Sequence, residues 1–276
     1  MPHAYVSVTF LKGTGVLNFT GTAYDTRIRQ LAENVSEQID RWCNRTFQPY
    51  LGTFRFAGDN STLLLIKDLA VIGSLREDNS NSGTFDTVWA AADYLLEPYN
   101  AQPNTDWGRP YVSIRVNPKS TGSQDVFMAG PDRYEITGTW GWTVVLSTAL
   151  PVASGSLATG TAITVTTVGI DPGQMILIDS EIIYVLSTSG TSLTVARGAM
   201  SSTVGTHASG TVVQTYGYPG PVQEAAMIQT ARLWQRRNSG FANQVGFIET
   251  GVIQTWRGGL DPDVKDMLAP YRRLHV

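Results

Sequence analysis

The sequence predicts an α+β host interrupted by an inserted all-β barrel or sandwich. Three observations carry this reading. Residues 143–219 contain no lysine and only four charged residues, Asp171, Asp179, Glu181 and Arg197, whereas 16% of the 276-residue chain is charged. The same stretch repeats short β-branched runs about ten residues apart, the rhythm of a small barrel or sandwich. On either side of it lie amphipathic runs of helical period, each with one face to bury. The predicted domains are a discontinuous core, residues 1–142 with 219–276, and an inserted β domain, residues 143–218.

Residues 2–20 alternate loosely around Gly13 and Gly15, which predicts a short strand pair or an extended arm. Thr22 followed by Asp25 resembles a capping box with Asp in place of Glu. The helix after it is the clearest in the chain. Ile28, Leu31, Ala32, Val35, Ile39, Trp42 and Cys43 share one face, and Asn44 and Pro49 end it. Short strands follow over Thr53–Ala57, Leu63–Ile66, Ala70–Leu75, Val88–Leu96, Tyr111–Val116 and Tyr134–Trp142. Gly58-Asp59-Asn60 and Asp78–Gly83 are the turns between the earlier ones. In the low-charge stretch the strand candidates are Ile163–Val165, Met175–Ile178, Ile182–Val185, Leu193–Val195 and Val212-Val213. Pro221 suits the first position of a further helix, which carries Arg232, Arg236 and Arg237 towards its C-terminal end. A strand is expected around Val252-Ile253. Asp261-Pro262 opens a last short helix that breaks at Pro270.

Composition narrows the function. A net charge of −3 lacks the Lys and Arg excess of a sequence-independent DNA binder. The single cysteine, Cys43, allows no internal disulfide and is expected as a small buried hydrophobe. No apolar run is long enough to span a bilayer. The N-terminus lacks a basic start followed by an apolar block, so a product made in the cytoplasm is expected.

The residues needed for catalysis are not in catalytic patterns. His3, His207 and His275 have no Cys or His partner at metal-ligand spacing. Gly13-Thr14-Gly15 lacks the third glycine and the Lys-Ser/Thr of a phosphate loop. Asp93 with Glu97, and Asp179 with Glu181, are the nearest carboxylate pairs a glycosidase could use, but solvated surface acids are far commoner. The expectation is no enzyme, no cofactor and no metal. A carbohydrate-binding tail or baseplate protein, adhering through the β domain, is the alternative. The insert has few aromatics, Tyr184 and Tyr216, for a sugar platform.

With the stretch closed up, the host shows an ordered set of motifs. A helix ends Ile39-Asp40-Arg41-Trp42-Cys43-Asn44-Arg45-Thr46-Phe47. Asp93-Tyr94-Leu95-Leu96-Glu97-Pro98 and Thr137-Gly138-Thr139-Trp140-Gly141-Trp142 follow. Ala231-Arg232-Leu233-Trp234-Gln235-Arg236-Arg237 comes next, and Asp261-Pro262-Asp263-Val264 with Leu268-Ala269-Pro270-Tyr271-Arg272-Arg273 closes the chain. This order resembles the head-to-tail adaptor (head completion, connector) proteins of long-tailed bacteriophages. The resemblance implies a small helical-bundle host with short β strands. It implies a virion structural protein at the head–tail interface, in a ring of about twelve copies beneath the portal. It further implies a portal protein, a next connector ring or tail-terminator protein, and further copies of the chain as partners. Genomic DNA would pass through the channel without sequence-specific binding, and no membrane is involved. Glu181, Val195, Arg197-Gly198, His207 and Gly210-Thr211 look like a small β module of other phage virion proteins. Ring interfaces favour aromatics and arginine, here Trp89, Trp107, Trp140, Trp142, Trp234 and Trp256, although Trp42 and Trp140 are expected in the core. Tyr271, Arg272, Arg273 and Leu274 form the predicted portal-docking site.

Overall fold

The computed structural model describes residues 2–103, 105, 108–122, 124–152, 160–166, 168–237, 244–247, 252–255 and 259–273. The chain divides into two compact units. One holds residues Met1–Arg45, Leu146–Ala199 and Thr203–Val276, and the other holds Thr46–Val145 and Met200–Ser202. These boundaries differ from the expected 142/143 and 218/219.

The smaller unit is a six-stranded antiparallel sheet with its own core. Its strands are β1 (Tyr50–Gly58), β2 (Leu63–Glu77), β3 (Thr87–Val88), β4 (Tyr94–Glu97), β5 (Tyr111–Val116) and β6 (Gly130–Trp140), in the order β1-β6-β2-β5-β4, with β3 also on β2. Two expected strands merge into β2. The pairing register shifts between Leu65 and Leu69, between Leu69 and Val71, and between Ile72 and Ser74. Such bulges let one long strand bend without breaking its ladder. The expected Val88–Leu96 strand is instead divided. Asp93 closes a turn, its N–H donating to the Ala90 carbonyl at 2.9 Å while its Oδ2 accepts from Ala90 N at 3.0 Å. The centre of β6 requires glycine. A Cβ on Gly138 would lie 2.3 Å from the Val71 carbonyl oxygen. Leu64, Ile66, Leu75, Ile114, Phe127 and Ile136 fill the core with Trp89, Tyr134 and Trp140.

The larger unit begins with two helices, α1 (Val8–Lys12) and α2 (Asp25–Cys43). The expected N-terminal strand or arm is replaced by α1 because Ser7 caps it, its Oγ accepting from Phe10 N at 3.2 Å. The expected Thr22 capping box does not form. Tyr24 is the N-cap residue of α2 and makes no side-chain cap bond, and the chain turns through Asp25 N donating to Thr22 O at 3.1 Å. Ile28, Ala32, Val35, Ile39 and Cys43 are buried, and Asn44 ends α2 in the left-handed conformation at φ 52°.

The second six-stranded sheet belongs to this unit. It comprises β7 (Val144–Pro151), β8 (Ala162–Thr164), β9 (Met175–Ile178), β10 (Glu181–Ser189), β11 (Ser192–Ala196) and β12 (Val212–Gly217), in the order β7-β12-β9-β10-β11-β8. Just beyond its two outermost strands, Val152 and Val165 form an antiparallel bridge, so the sheet curls round on itself. Its interior is almost wholly β-branched, with Ile163, Ile176, Ile178, Ile183, Val185 and Val213 at its centre. The remaining elements are α3 (Gly220–Arg236), a backbone hairpin of β13 (Gln244–Phe247) and β14 (Val252–Thr255), and α4 (Pro262–Leu268). No helix among the described residues is long and apolar enough to cross a membrane.

The architecture corrects the expected fold class. The chain is mostly β, with two six-stranded antiparallel sheets and four α-helices among the described residues, and not a small helical bundle carrying an inserted β domain. Helix α2 is tied to the second sheet. Tyr184 on β10 donates its O–H to Glu33 Oε1 on α2 at 2.7 Å, and Arg29 pairs with the same carboxylate. Tyr5 N donates to Ser36 Oγ at 3.0 Å, and the Tyr5 ring packs edge-on against Tyr218 at 4.7 Å. Tyr184→Phe removes one partly buried hydrogen bond between helix and sheet, and about 1 kcal/mol of stability should go with it. An unchanged urea midpoint would show that this tether contributes nothing.

Candidate functional site

The predicted docking tail is seated on the end of α2. A 3-10 turn over Ala269–Tyr271 follows α4. Arg273 N then donates to the Cys43 carbonyl at 2.7 Å, and the Arg272 guanidinium lies over the Trp42 ring at 5.5 Å. Tyr271 and Arg273 are half-buried and Arg272 is exposed. Leu274 lies outside the described residues. Burial, then Asp40, pushes the Cys43 thiol up to about 12, against smaller opposing effects of Arg45 and Arg272. This cysteine is therefore a packing residue at neutral pH. Upstream, α4 is held to α3 by Arg232, which bonds Asp263 at 2.7 Å and Asp261 at 2.8 Å. Asp263 is the first cause of the raised Arg232 pKa, and Arg232 in turn lowers that of Asp263. The helix that presents the tail is thus clamped by charge-assisted bonds.

The carboxylates considered for hydrolysis are engaged in holding structure. Asp93 holds the Ala90 turn and accepts from Ser120 Oγ, while Glu97 pairs with Arg115 at 2.6 Å. Glu181 is 1% exposed. It accepts from Arg197 Nε and Nη2 at 2.8 Å each, Gly198 N at 2.8 Å, Gly205 N at 3.0 Å and His207 Nε2 at 3.0 Å. The other His207 nitrogen lies 2.8 Å from Asp179 Oδ2. Of the residues that look like a phage β module, Glu181, Arg197, Gly198 and His207 therefore form a polar clasp joining the start of β10 to the loop after β11. His3 faces Asp40 at 3.1 Å. Gly13 ends α1, so Gly13-Thr14-Gly15 opens no helix. Among the described residues no group of three His, Cys, Asp or Glu side chains is placed to hold a metal ion.

The tryptophans expected at a ring interface mostly fill cores. Trp89, Trp140 and Trp234 are buried. Trp142 is half-buried and donates its indole N–H to Gly108 O at 3.0 Å. Trp107 and Trp256 lie outside the described residues.

Sequence reading missed a cavity of about 370 Å³ in the larger unit. The segment Ala4–Phe10 forms one wall, the Asp171–Gln174 loop a second, and Thr215–Tyr218 with Gln223 a third. No local motif announces it, because its first wall lies more than 150 residues from the other two in the chain. The walls are joined by Val8 N donating to Pro172 O at 3.0 Å and by Ser7 Oγ donating to Asp171 Oδ2 at 3.3 Å. No protein-family model, curated protein or solved structure matches the chain.

Proposed function

We propose that the chain is a structural protein of a bacteriophage virion, a head-to-tail adaptor that forms a ring below the portal and continues the DNA channel towards the tail. The observation that carries the reading is the ordered set of motifs from Ile39–Phe47 to Leu268–Arg273. The first and last of these meet in space, where Arg273 N bonds Cys43 O and Arg272 covers Trp42. This juxtaposition sets an exposed guanidinium beside a half-buried indole on a braced helix end, a pairing suited to a protein interface. The portal is the partner assigned to it.

The reading is tested by isolating connectors from particles and asking whether this chain co-assembles with portal. Absence from that position sinks the proposal. A chain with Arg272→Glu and Arg273→Glu should lose portal attachment by about tenfold or more, because charge reversal places a repulsive group in the interface. Its fold should survive, since the bond to Cys43 uses the Arg273 backbone. Undiminished attachment would remove the tail from the docking surface.

A further inference from the structure

The cavity in the larger unit has a chemistry that selects its occupant. Among the described residues, Asp171 is the only charged one in its lining. Its carboxylate is half-buried and receives the Ser7 hydroxyl at 3.3 Å, a long bond that leaves acceptor capacity on both oxygens. The loop that carries it is fixed, because Asp171 N donates to Gln174 Oε1 at 2.8 Å. Gln223 spends its donor nitrogen on Tyr218 O at 2.7 Å and keeps its oxygen as an acceptor. Phe10 in the lining is 58% exposed, leaving an aromatic face uncovered. Among the described residues no lysine, arginine or histidine lines the space, so an anion would meet a carboxylate with no cation in that lining to neutralise it. A wholly apolar ligand would strip water from the carboxylate and the amide without replacing their bonds.

We propose that this cavity receives an arginine side chain presented by a protein partner. A guanidinium brings five N–H donors to a site rich in acceptors and matches a carboxylate in two-point geometry. It also stacks on an aromatic face, which an ammonium does less well. The cavity is at the small end of ligand pockets, sized for a side chain rather than a cofactor. The inference is independent of the ring reading and holds for any partner that offers an arginine.

Agmatine, an arginine side chain without its backbone acid, is the probe. Titrated into the full chain, it should perturb the amide resonances of Ser7, Asp171 and Gln174 saturably. Asp171→Asn should weaken binding about tenfold, the loss of one charge-assisted bond. Phe10→Ala, at an exposed position that the fold does not need, should weaken it about threefold through the lost cation–π contact. Methyl glucoside and inorganic phosphate should not compete. The proposal is overturned if agmatine fails to saturate the wild-type chain or if Phe10→Ala and a folded Asp171→Asn both bind it undiminished. Displacement by glucoside or phosphate also overturns it. If Asp171→Asn does not fold, the Phe10→Ala titration decides alone.

Discussion

Glu181→Ala should destabilise the larger unit by about 3–5 kcal/mol, the cost of breaking a buried ion pair and leaving its partner charge uncompensated. Arg197 would lose both carboxylate bonds while its side chain stays 7% exposed. The Gly198 and Gly205 N–H groups and His207 Nε2 would lose the same acceptor. Urea unfolding followed by far-UV circular dichroism measures the loss. Replacing both partners, Glu181→Leu with Arg197→Met, should cost much less than the sum of the single changes, because no charge is then stranded. Equal and additive losses would show that the pair is not coupled.

The same group sets an acid limit on stability. Burial alone would raise its pKa, but the bonds from Arg197, Gly205, Gly198 and His207 outweigh burial and lower it from 4.5 to about 2. A carboxylate depressed in the folded state stabilises fully above its unfolded pKa. That stabilisation is lost as pH falls from about 4.5 through 2. Glu181→Gln should therefore lower stability near neutrality and flatten its fall over that acid interval. An unaltered acid profile would assign the effect to other carboxylates.

Local signals in the sequence reached local structure. The course of α2 follows from apolar residues at helical spacing, and Ile28, Val35 and Ile39 are buried as that spacing requires. Strands β9, β10 and β11 follow from β-branched runs between turn residues. Five residues of α1 are too few for helical period and strand alternation to differ, and only the Ser7 cap decides between them. The continuity of β2 depends on bulges that partner strands impose.

The assignment of segments to cores was not legible, and the physical reason is distance along the chain. A low charge count marks a change of surface chemistry, which need not coincide with a change of core. Residues 143–219 differ in composition from their surroundings, yet Tyr184 within them bonds Glu33 across 151 positions. Conversely, the strands between Thr46 and Val145 have an ordinary charge content and form a unit of their own. The basic and aromatic residues of the C-terminal tail, the proposed docking site, stand out in the sequence, but the seat of that tail on Cys43 and Trp42 does not. The cavity joins the Ala4–Phe10 segment to two segments more than 150 residues away and left no trace in spacing.

In the smaller unit the largest single-residue effect is expected at Trp140. This side chain is 2% exposed. Its residue pairs with Tyr50 on β1 and with Leu69 on β2, so it stands where three strands meet. Its ring meets Phe54 edge-on at 5.0 Å and Phe56 at 5.9 Å, and its indole N–H donates to Gly52 O at 2.9 Å. Trp140→Ala should cost about 3–5 kcal/mol, because a well-packed sheet core collapses only partly around the space left. Trp140→Phe keeps most of the aromatic packing but loses the bond to Gly52, and about 1–2 kcal/mol should follow. The ratio separates two sources of stability. If the phenylalanine variant falls as far as the alanine variant in urea, the indole bond and not the filled volume holds the β1–β6–β2 junction. If it unfolds midway between wild type and alanine, volume dominates, as expected from a residue enclosed by aromatic rings on one sheet face.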